Sequence, residues 1–349
     1  MAQQAAFTEL PVVDVSGLYS SDPANREKVA EKLGRAAGEV GFFYVTGHPV
    51  DRRRREALLS ATRSFFALPE EAKMAIHIGR SGNHRGYVPE GEEVMVGGKR
   101  DRKEALDLGR EVAPDHPDVV AGTPMIGPNQ WPELPGFREA VEGYYDDVFD
   151  LGRHLLKGFA LALGVEETFF DGFVTNPPSQ LRLIHYPFDP SAEDVQGIGA
   201  HTDYECFTLL LPTAPGLEVM NGDGEWIDVP LLDDAFVVNI GDMMEVWTGG
   251  RFVATSHRVR KVKEERYSFP LFFACDYHTE VAPLPEVAGP APSPRYTPIR
   301  AGDHLYAQTI QSFTYLRQRL ERGELVLPEG SKALSSFGQS ARRKPAANA

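Results

Sequence analysis

The segment GIGAHTDYECFTLLL (residues 197–211) carries the strongest signal for the fold. It ends in an apolar run of strand length, and it places two polar side chains, His201 and Asp203, two positions apart. In a β-strand, residues two positions apart point to the same face. One imidazole and one carboxylate therefore converge on one point, which is an arrangement that suits a metal ion. An H-x-D tripeptide alone is a weak motif, because most such tripeptides lie on surfaces or in turns.

Short apolar runs of the same kind continue from residue 181 to residue 273. They are LRLIHY, CFTLLL, LEVM, EWIDV, FVVNI, MEVW, FVAT, HRVRKV and YSFPLFF, separated by turn residues. Such spacing predicts an antiparallel sandwich or barrel. Helical spacing of apolar residues predicts helices at about 25–40, 52–66, 135–163 and 303–321. We therefore expect a mainly β fold with flanking helices.

The chain shows no internal repeat and no strong linker, which predicts a single domain over residues 1–335. An N-terminal part of helices and strands is expected at about 1–175, and the β-core at about 180–280. The C-terminal helix is expected at about 303–321. Residues 336–349 are expected to form a disordered tail.

Composition and charge argue against several classes of partner. The net charge of −14 argues against nucleic acids and anionic membrane surfaces, because both attract basic proteins. The two cysteines, Cys206 and Cys275, show no CxxC spacing and no disulfide framework, which fits a reducing compartment. The N-terminal residues lack the pattern of a signal peptide, and no run approaches about 18 apolar residues. We expect a cytoplasmic protein with no membrane and no nucleic-acid partner.

A second histidine, His257, opens the strand-like run HRVRKV further along the chain. If the intervening strands form a barrel, His257 can approach His201 and Asp203 from a facing strand. Two histidines and one carboxylate on one side of a metal leave three coordination positions open, as in non-haem Fe(II) oxygenases. Zinc is less suited, because catalytic zinc usually keeps a single open position.

An anion-binding pair follows shortly after His257. Arg266 and Ser268 are two positions apart, and a guanidinium with a hydroxyl is a good receptor for a carboxylate. The polar residues 263–265 predict a hairpin turn that pairs HRVRKV with RYSFPLFF. A two-residue turn would put Arg266 on the face of His257, and a turn one residue longer would put it on the other face.

The strand-like run LRLIHYP adds further polar groups. Arg182, Ile184 and Tyr186 alternate onto one face, and His185 lies on the other face, where we expect a structural role. Tyr186 can donate to the carboxylate bound by Arg266, and Arg182 can bind a second carboxylate.

Taken together, these segments resemble the isopenicillin N synthase-like branch of the Fe(II)/2-oxoglutarate-dependent dioxygenases, over about residues 9–320. The entry strand PVVDVSGL and the segment GFFYVTGHPV are similar to that branch, and the core segments follow its order. Gly47 and Pro49 depart from the family pattern, which usually has Asn and Gly there. HTD, then HRV, then R-x-S in this order is highly specific.

The resemblance implies a double-stranded β-helix, or jelly-roll, core. It implies that the iron ligands are His201, Asp203 and His257. It implies that 2-oxoglutarate binds to Arg266, Ser268 and Tyr186, and the additional arginine, Arg182, is a candidate for its second carboxylate. Fe(II), 2-oxoglutarate and O₂ would then oxidise a small-molecule substrate by hydroxylation, desaturation or cyclisation, with release of succinate and CO₂.

Two alternatives remain open on sequence grounds. An oxidase of the same fold would use O₂ without 2-oxoglutarate and would hold a substrate carboxylate on Arg266 and Ser268. Arg182 favours 2-oxoglutarate, because this cosubstrate carries two carboxylates. A non-catalytic barrel that binds a small ligand is disfavoured by the intact metal-binding and anion-binding residues.

Six residues are candidates for contact with the primary substrate. The candidates are Tyr87, Glu93, Leu106, Leu108, Tyr204 and Phe272. Residues 79–98 predict a loop, and its GEEVMVGG run is similar to the bacterial ethylene-forming enzyme, as are Arg182 and Tyr204. The loop is expected to cover the barrel mouth and to place Glu93 against a cationic or amine-bearing substrate. Otherwise Glu93 is one more surface acid.

Overall fold

The computed structural model describes residues 6–94, 103–188, 196–260, 264–288, 296 and 298–331, without the side chains of 196–198. The predicted tail at 336–349 therefore lies outside the described residues. The end of the GEEVMVGG run, from residue 95, and residue 263 of the predicted turn before Arg266 also lie outside them.

The described helices agree with most of the predicted ones. They are α1 (Pro23–Glu39), α2 (Arg52–Phe66), α3 (Glu70–Met74), α4 (Pro117–Val120), α5 (Phe137–Leu163), α6 (Asp242–Trp247), α7 (Pro285–Ala288), α8 (Ala301–Ser312) and α9 (Thr314–Glu321). Short 3₁₀ turns lie at Ser16–Tyr19, Ile78–Arg80 and Asp171–Phe173. Helix α1 begins at Asp22, whose side chain accepts a hydrogen bond from the backbone N–H of Ala24.

The single helix predicted at 303–321 is in fact two helices. The backbone of Phe313 is extended, with φ −98° and ψ 129°, and it separates α8 from α9. Phe313 also bridges to Glu93 in the segment that precedes residue 95. The residue that separates α8 from α9 therefore pairs with the segment that contains Glu93.

The described strands form two main sheets and one small ribbon. The strands are β1 (Val12–Asp14), β2 (Phe42–Thr46), β3 (Gly86–Val88), β4 (Glu104–Gly109), β5 (Gln180–Tyr186), β6 (Gln196–His201), β7 (Phe207–Pro212), β8 (Leu217–Met220), β9 (Trp226–Asp228), β10 (Phe236–Ile240), β11 (His257–Arg260), β12 (Arg266–Phe273), β13 (Glu280–Val281) and β14 (Ile299–Arg300). The short strand β3 falls in the region 79–98 that was predicted to be a loop.

The major sheet has the order β1-β2-β10-β7-β12-β5-β4-β3, and the minor sheet has the order β6-β11-β8-β9. All described pairs are antiparallel except β1 with β2. A cavity lies between the two sheets, since both contribute to its lining. This arrangement is the predicted double-stranded β-helix.

The predicted hairpin between HRVRKV and RYSFPLFF is wrong. Strand β11 pairs with β6 and β8 in the minor sheet, whereas β12 pairs with β5 and β7 in the major sheet. In a double-stranded β-helix the chain passes from one sheet to the other between consecutive strands. His257 and Arg266 therefore reach the cavity from different sheets.

The outer face of the major sheet is covered by helices. Helix α5 packs against α1, α2 and β12, and its buried face joins the main apolar core. A Cβ on Gly152 of α5 would lie only 2.5 Å from the ring of Phe273, so glycine permits the close approach of this helix to the sheet. The inner face of the sheet is left for the cavity.

The structure explains why Gly47 stands where the family pattern usually has Asn. Gly47 has a φ of +68°, and a Cβ there would lie 2.1 Å from Oδ1 of Asp14. Glycine allows both the positive φ and the close contact with Asp14.

Among the described residues, no helix combines the length and apolar character needed to cross a bilayer.

Candidate active site

The cavity between the sheets has a volume of about 150 Å³. This size is suited to small molecules. Its lining brings together most of the residues that were predicted from sequence to form a site. These are His201, Asp203, His257, Arg266, Ser268, Tyr186, Arg182, Glu93, Tyr204 and Phe272.

Three of these residues form a compact metal-binding group. Nε2 of His201 and Nε2 of His257 each lie 3.6 Å from Oδ1 of Asp203. The two histidines are direct partners across the β6–β11 pair, and Asp203 follows β6. One ligand atom from each residue lies within 4.8 Å of the others. This geometry allows all three side chains to bind one ion from the same side.

Two polar residues of the major sheet hold the Asp203 carboxylate. Its Oδ2 accepts hydrogen bonds from Oγ1 of Thr208 at 2.5 Å and from Nδ2 of Asn239 at 2.7 Å. Thr208 and Asn239 are opposed partners in strands β7 and β10. Since Oδ2 is taken, Oδ1 is left beside the two imidazoles. Such supporting contacts orient metal ligands and tune their affinity.

The backbone fixes which nitrogen each imidazole offers. Nδ1 of His201 lies 2.8 Å from the carbonyl oxygen of Gly199, and Nδ1 of His257 lies 3.4 Å from that of Thr255. A carbonyl only accepts hydrogen bonds, so Nδ1 carries the proton in each ring. The unprotonated Nε2 atoms are then available beside Asp203.

Electrostatics favour the metal-binding protonation states. Burial would raise the pKa of Asp203, but His257, His201 and the hydrogen bonds from Thr208 and Asn239 lower it below its ordinary value. Burial and the neighbouring His201 lower the pKa of His257. A carboxylate facing a neutral imidazole is the state that a divalent metal requires.

Arg266 contributes a buried guanidinium to the cavity lining. Its side chain is almost fully buried, Nε donates to the carbonyl of Ala214 at 3.2 Å, and Cζ lies 4.8 Å from the centre of the Tyr186 ring. Within the described part of the chain, Nη1 of Arg266 has no hydrogen-bond partner. A buried donor without a partner is costly, so this nitrogen favours an anionic ligand. Ser268 lines the same cavity.

Arg182 was expected to bind a second carboxylate of a ligand, but in the structure its partners are carboxylates of the protein. Its Nε and Nη2 donate to the two oxygens of Asp107 at 2.7 and 2.8 Å. Its Nη1 donates to Glu93 at 3.0 Å. The guanidinium lines the cavity, but two protein carboxylates already bind it.

Glu93 also differs from its predicted environment. Its Oε2 lies 3.0 Å from Nη1 of Arg182 and 3.0 Å from Nζ of Lys103. Burial would raise the pKa of Glu93, but these two cations lower it to about 2. Two cations of the protein therefore already meet Glu93, which was predicted to meet a cation of the substrate.

Three predicted substrate contacts lie outside the cavity lining. Leu106 and Leu108 are buried in the main apolar core, as is Tyr87, whose hydroxyl donates to Oε2 of Glu104 at 2.7 Å. In β4 the side chains alternate, so Asp107 takes the face of Arg182 and the leucines take the opposite face. The two leucines therefore face the apolar core and not the cavity. Tyr204 and Phe272 do line the cavity.

Several lining or supporting residues were not predicted. They are His84, Lys103, Glu205, Thr208, Asn239 and Phe313. Thr208 and Asn239 could have been found from sequence, because each is a single polar residue inside an otherwise apolar strand. Glu205 follows the H-x-D tripeptide closely. Burial and the nearby Asp203 raise the pKa of Glu205 to about 8.

Comparison with known proteins places the chain in a family. Residues 10–134 match the family described as non-haem dioxygenase in morphine synthesis N-terminal, and residues 177–274 match the 2OG-Fe(II) oxygenase superfamily. Over 339 residues the chain is 37% identical to the 2-oxoglutarate-Fe(II) type oxidoreductase hxnY of Emericella nidulans, covering 94% of this chain and 96% of that protein. The chain belongs to the Fe(II)/2-oxoglutarate-dependent dioxygenase family.

Two further similarities extend along most of this dioxygenase. It is 34% identical to homoarginine-6-hydroxylase 2-ODD-233 of Oryza sativa subsp. japonica, over 88% of this chain and 98% of that protein. It superposes on a full-length Neurospora crassa protein, solved in complex with alpha-KG and thymine, with a TM-score of 0.73 and 25% identity. That superposition covers 93% of this chain and 100% of the Neurospora crassa chain.

The dioxygenase uses Fe(II), 2-oxoglutarate and O₂ to oxidise a small-molecule substrate, with release of succinate and CO₂. This family membership favours the 2-oxoglutarate-dependent reaction over both alternatives considered from sequence, the oxidase and the ligand-binding barrel. The donor set fits the iron, because two imidazoles and one carboxylate converge. The unpaired Nη1 of Arg266 fits a carboxylate ligand.

Proposed function

We propose that one cavity of this dioxygenase binds both the iron and 2-oxoglutarate. The proposed iron ligands are His201, Asp203 and His257. The groups proposed for the distal carboxylate of 2-oxoglutarate are Arg266, Ser268 and Tyr186. The observation that carries this assignment is the buried Nη1 of Arg266, which has no hydrogen-bond partner among the described residues and lies in the same cavity lining as His201, Asp203 and His257.

The protein's own contribution to the iron site is to prepare its ligands. When bound, the iron supplies the activation of O₂, which amino-acid side chains do not provide. The backbone carbonyls of Gly199 and Thr255 keep the protons of both imidazoles on Nδ1. Thr208 and Asn239 hold one oxygen of Asp203 and leave the other free. The ligands are thus oriented before the metal arrives.

The contribution of Arg266 is to orient the cosubstrate. A planar guanidinium binds a carboxylate through two parallel hydrogen bonds, which fixes direction as well as position. The hydroxyls of Ser268 and Tyr186 can complete the receptor. Because Arg266 is held by Ala214 and by the ring of Tyr186, little side-chain freedom is lost on binding.

Anomalous diffraction at the iron absorption edge tests the assignment directly. Crystals grown without oxygen, with Fe(II) and 2-oxoglutarate, are expected to show one strong peak within bonding distance of His201, Asp203 and His257. The distal carboxylate is expected at Arg266. A main iron peak elsewhere, or a cosubstrate whose carboxylate contacts neither Arg266 nor Ser268, would refute the assignment.

We also propose that the primary substrate is a small molecule with a basic group, such as a basic amino acid. Beyond the metal-binding residues, the charged groups around the cavity include two cations, Lys103 and Arg182, and three carboxylates, Glu93, Asp107 and Glu205. With Glu205 protonated, as its raised pKa favours, these charges balance, and a cationic ligand would stabilise the ionised form of Glu205. The resemblance to a homoarginine-6-hydroxylase supports the same substrate class.

Succinate release distinguishes this class of substrate from others. The purified enzyme, with Fe(II), 2-oxoglutarate and O₂, is compared in three arms: L-arginine and L-homoarginine, thymine, and indole-3-acetate. We expect only the basic amino acids to raise succinate release above the substrate-free rate and to gain mass. Stimulation by thymine or indole-3-acetate alone would refute the substrate class and leave the family assignment intact.

A further inference from the structure

Glu205 stands apart from the other carboxylates around the cavity. It lies in the cavity lining, two residues after Asp203. Among the residues that the structure describes, it forms no ion pair with a lysine, arginine or histidine. Glu93 and Asp107, in contrast, are both bound by Arg182.

The backbone around Glu205 is held firmly. The carbonyl of Glu205 accepts a hydrogen bond from the backbone N–H of Met243 at 3.2 Å. A Cβ added to Gly241 would lie 2.2 Å from the carbonyl oxygen of Glu205, so the chain at Gly241 packs directly on it. The backbone that carries the Glu205 side chain is therefore fixed, two residues after Asp203.

The nearby arginine cannot satisfy Glu205 without breaking existing contacts. Arg182 uses Nε and Nη2 on Asp107 and Nη1 on Glu93. A carboxylate that is partly removed from water and has no cationic partner is costly. A guanidinium or ammonium group of a ligand would supply the charge-assisted hydrogen bonds that the described protein groups do not.

We propose that Glu205 is the specificity-determining residue that binds the cationic group of the substrate. This inference rests on the proposed function, because it assigns a residue to the basic substrate. The cationic group sits between Glu205 and the aromatic lining formed by Tyr204 and Phe272. Glu93 keeps a different task, which is to bind Arg182 and Lys103.

A pair of ligands with the same shape and different charge tests the role of Glu205. L-Homoarginine carries a guanidinium, and L-homocitrulline replaces it with a neutral urea group. Binding is measured by calorimetry without oxygen, in the presence of Fe(II) and 2-oxoglutarate. We expect Glu205→Gln to weaken homoarginine binding by about tenfold or more, as loss of hydrogen bonds to a charged group does. Homocitrulline binding is expected to change by less than about threefold.

Two controls separate recognition from a structural effect. Asp223→Asn removes one exposed carboxylate away from the cavity and is expected to leave homoarginine binding unchanged. Iron content and 2-oxoglutarate affinity are measured for Glu205→Gln and are expected to match the wild type. A loss of iron binding in this variant would overturn the proposal, because Glu205 would then act by supporting Asp203.

The outcomes also distinguish this inference from the proposed function. If the wild type binds neither L-homoarginine nor L-arginine, the basic substrate class is wrong and this role of Glu205 is wrong with it. If the wild type binds and oxidises them, but Glu205→Gln binds them equally well, only the role of Glu205 is overturned. Loss of charge selectivity in Glu93→Gln, with retention in Glu205→Gln, would assign recognition to Glu93.

Discussion

Arg266 lies directly opposite Tyr186 in the pairing of β12 with β5, and its guanidinium carbon is 4.8 Å from the centre of the Tyr186 ring. A cation over an aromatic face is stabilised by about 0.5–2 kcal/mol, depending on how far the pair is removed from water. The contact holds the guanidinium in place without using its Nη1 hydrogen atoms. The anion site is therefore formed before any ligand binds.

Replacing Arg266 with Ala is expected to weaken 2-oxoglutarate binding by about 2–5 kcal/mol, which is well over tenfold. The carboxylate of the cosubstrate would lose its charged partner in a buried site. Calorimetric titration of the iron-loaded protein without oxygen measures this loss. Arg260→Ala, which removes a partly exposed arginine paired with Asp228, serves as the control. Equal affinities for Arg266→Ala and Arg260→Ala would contradict the assignment.

The ring and the hydroxyl of Tyr186 can be separated by two variants. Tyr186→Phe keeps the ring over Arg266 and is expected to lower 2-oxoglutarate affinity by about 0.5–1.5 kcal/mol. Tyr186→Ala removes both the ring and the hydroxyl and is expected to lower 2-oxoglutarate affinity further. The same titration gives both values. If Tyr186→Phe and Tyr186→Ala are equally impaired, the stacking contact contributes nothing to this site.

His201→Ala and His257→Ala are each expected to abolish stoichiometric iron binding while the fold is retained. Neither variant leaves a second imidazole within the described metal-binding group. Metal analysis after gel filtration gives the iron content, and circular dichroism reports the fold. His154→Ala, on helix α5 and away from the cavity, is expected to bind iron normally. Full iron content in His257→Ala would exclude it as a ligand.

Thr208→Val is expected to lower iron affinity by about 10–100-fold, because it removes a hydrogen bond that orients the Asp203 carboxylate. Thr248→Val is a matched control, since Thr248 is also buried and its hydroxyl donates to the carbonyl of Met244. Competition with a chelator measures affinity in both variants. If the two variants hold iron equally well, the contact from Thr208 does not tune the metal site.

Glu93 is expected to make stability depend on pH. Its pKa is about 2 in the folded chain, below its ordinary value of 4.5, so its stabilising contribution is complete above about pH 4.5. The contribution is lost as the pH falls toward 2, and it amounts to at most about 3 kcal/mol. Urea unfolding of the metal-free protein and of Glu93→Gln should give a difference that shrinks below pH 4.5. A difference that is independent of pH would mean that Glu93 does not act through its charge.

The sequence predicted those features that depend on alternation within one strand. Arg182, Ile184 and Tyr186 share a face that lines the cavity, as expected from a period of two. His201, the last residue of β6, and Asp203, just beyond it, also converge as their spacing predicted. These relationships need no knowledge of which strands are neighbours.

The features that were predicted incorrectly depend on partners distant in the chain. The hairpin placed His257 and Arg266 on one ribbon, but the jelly roll sends their strands to different sheets. Leu106 and Leu108 were expected at the substrate, but the pairing of β4 with β5 places Asp107 opposite Arg182 and turns the leucines to the other face. The ion pairs of Glu93 likewise join residues that no short-range pattern connects.

The division of the binding groups between the two sheets has a mechanical consequence. His201 and His257 belong to the minor sheet, whereas Arg266 belongs to the major sheet and Asp203 is tied to it through Thr208 and Asn239. Iron and 2-oxoglutarate bound as proposed would contact residues of both sheets. Since a ligand that binds only the folded state stabilises it, each cofactor resists separation of the sheets. Without iron or 2-oxoglutarate, the contacts between the two sheets are expected to be weaker and the folded enzyme less stable. The supply of both would then affect how long the folded enzyme persists, as well as its activity.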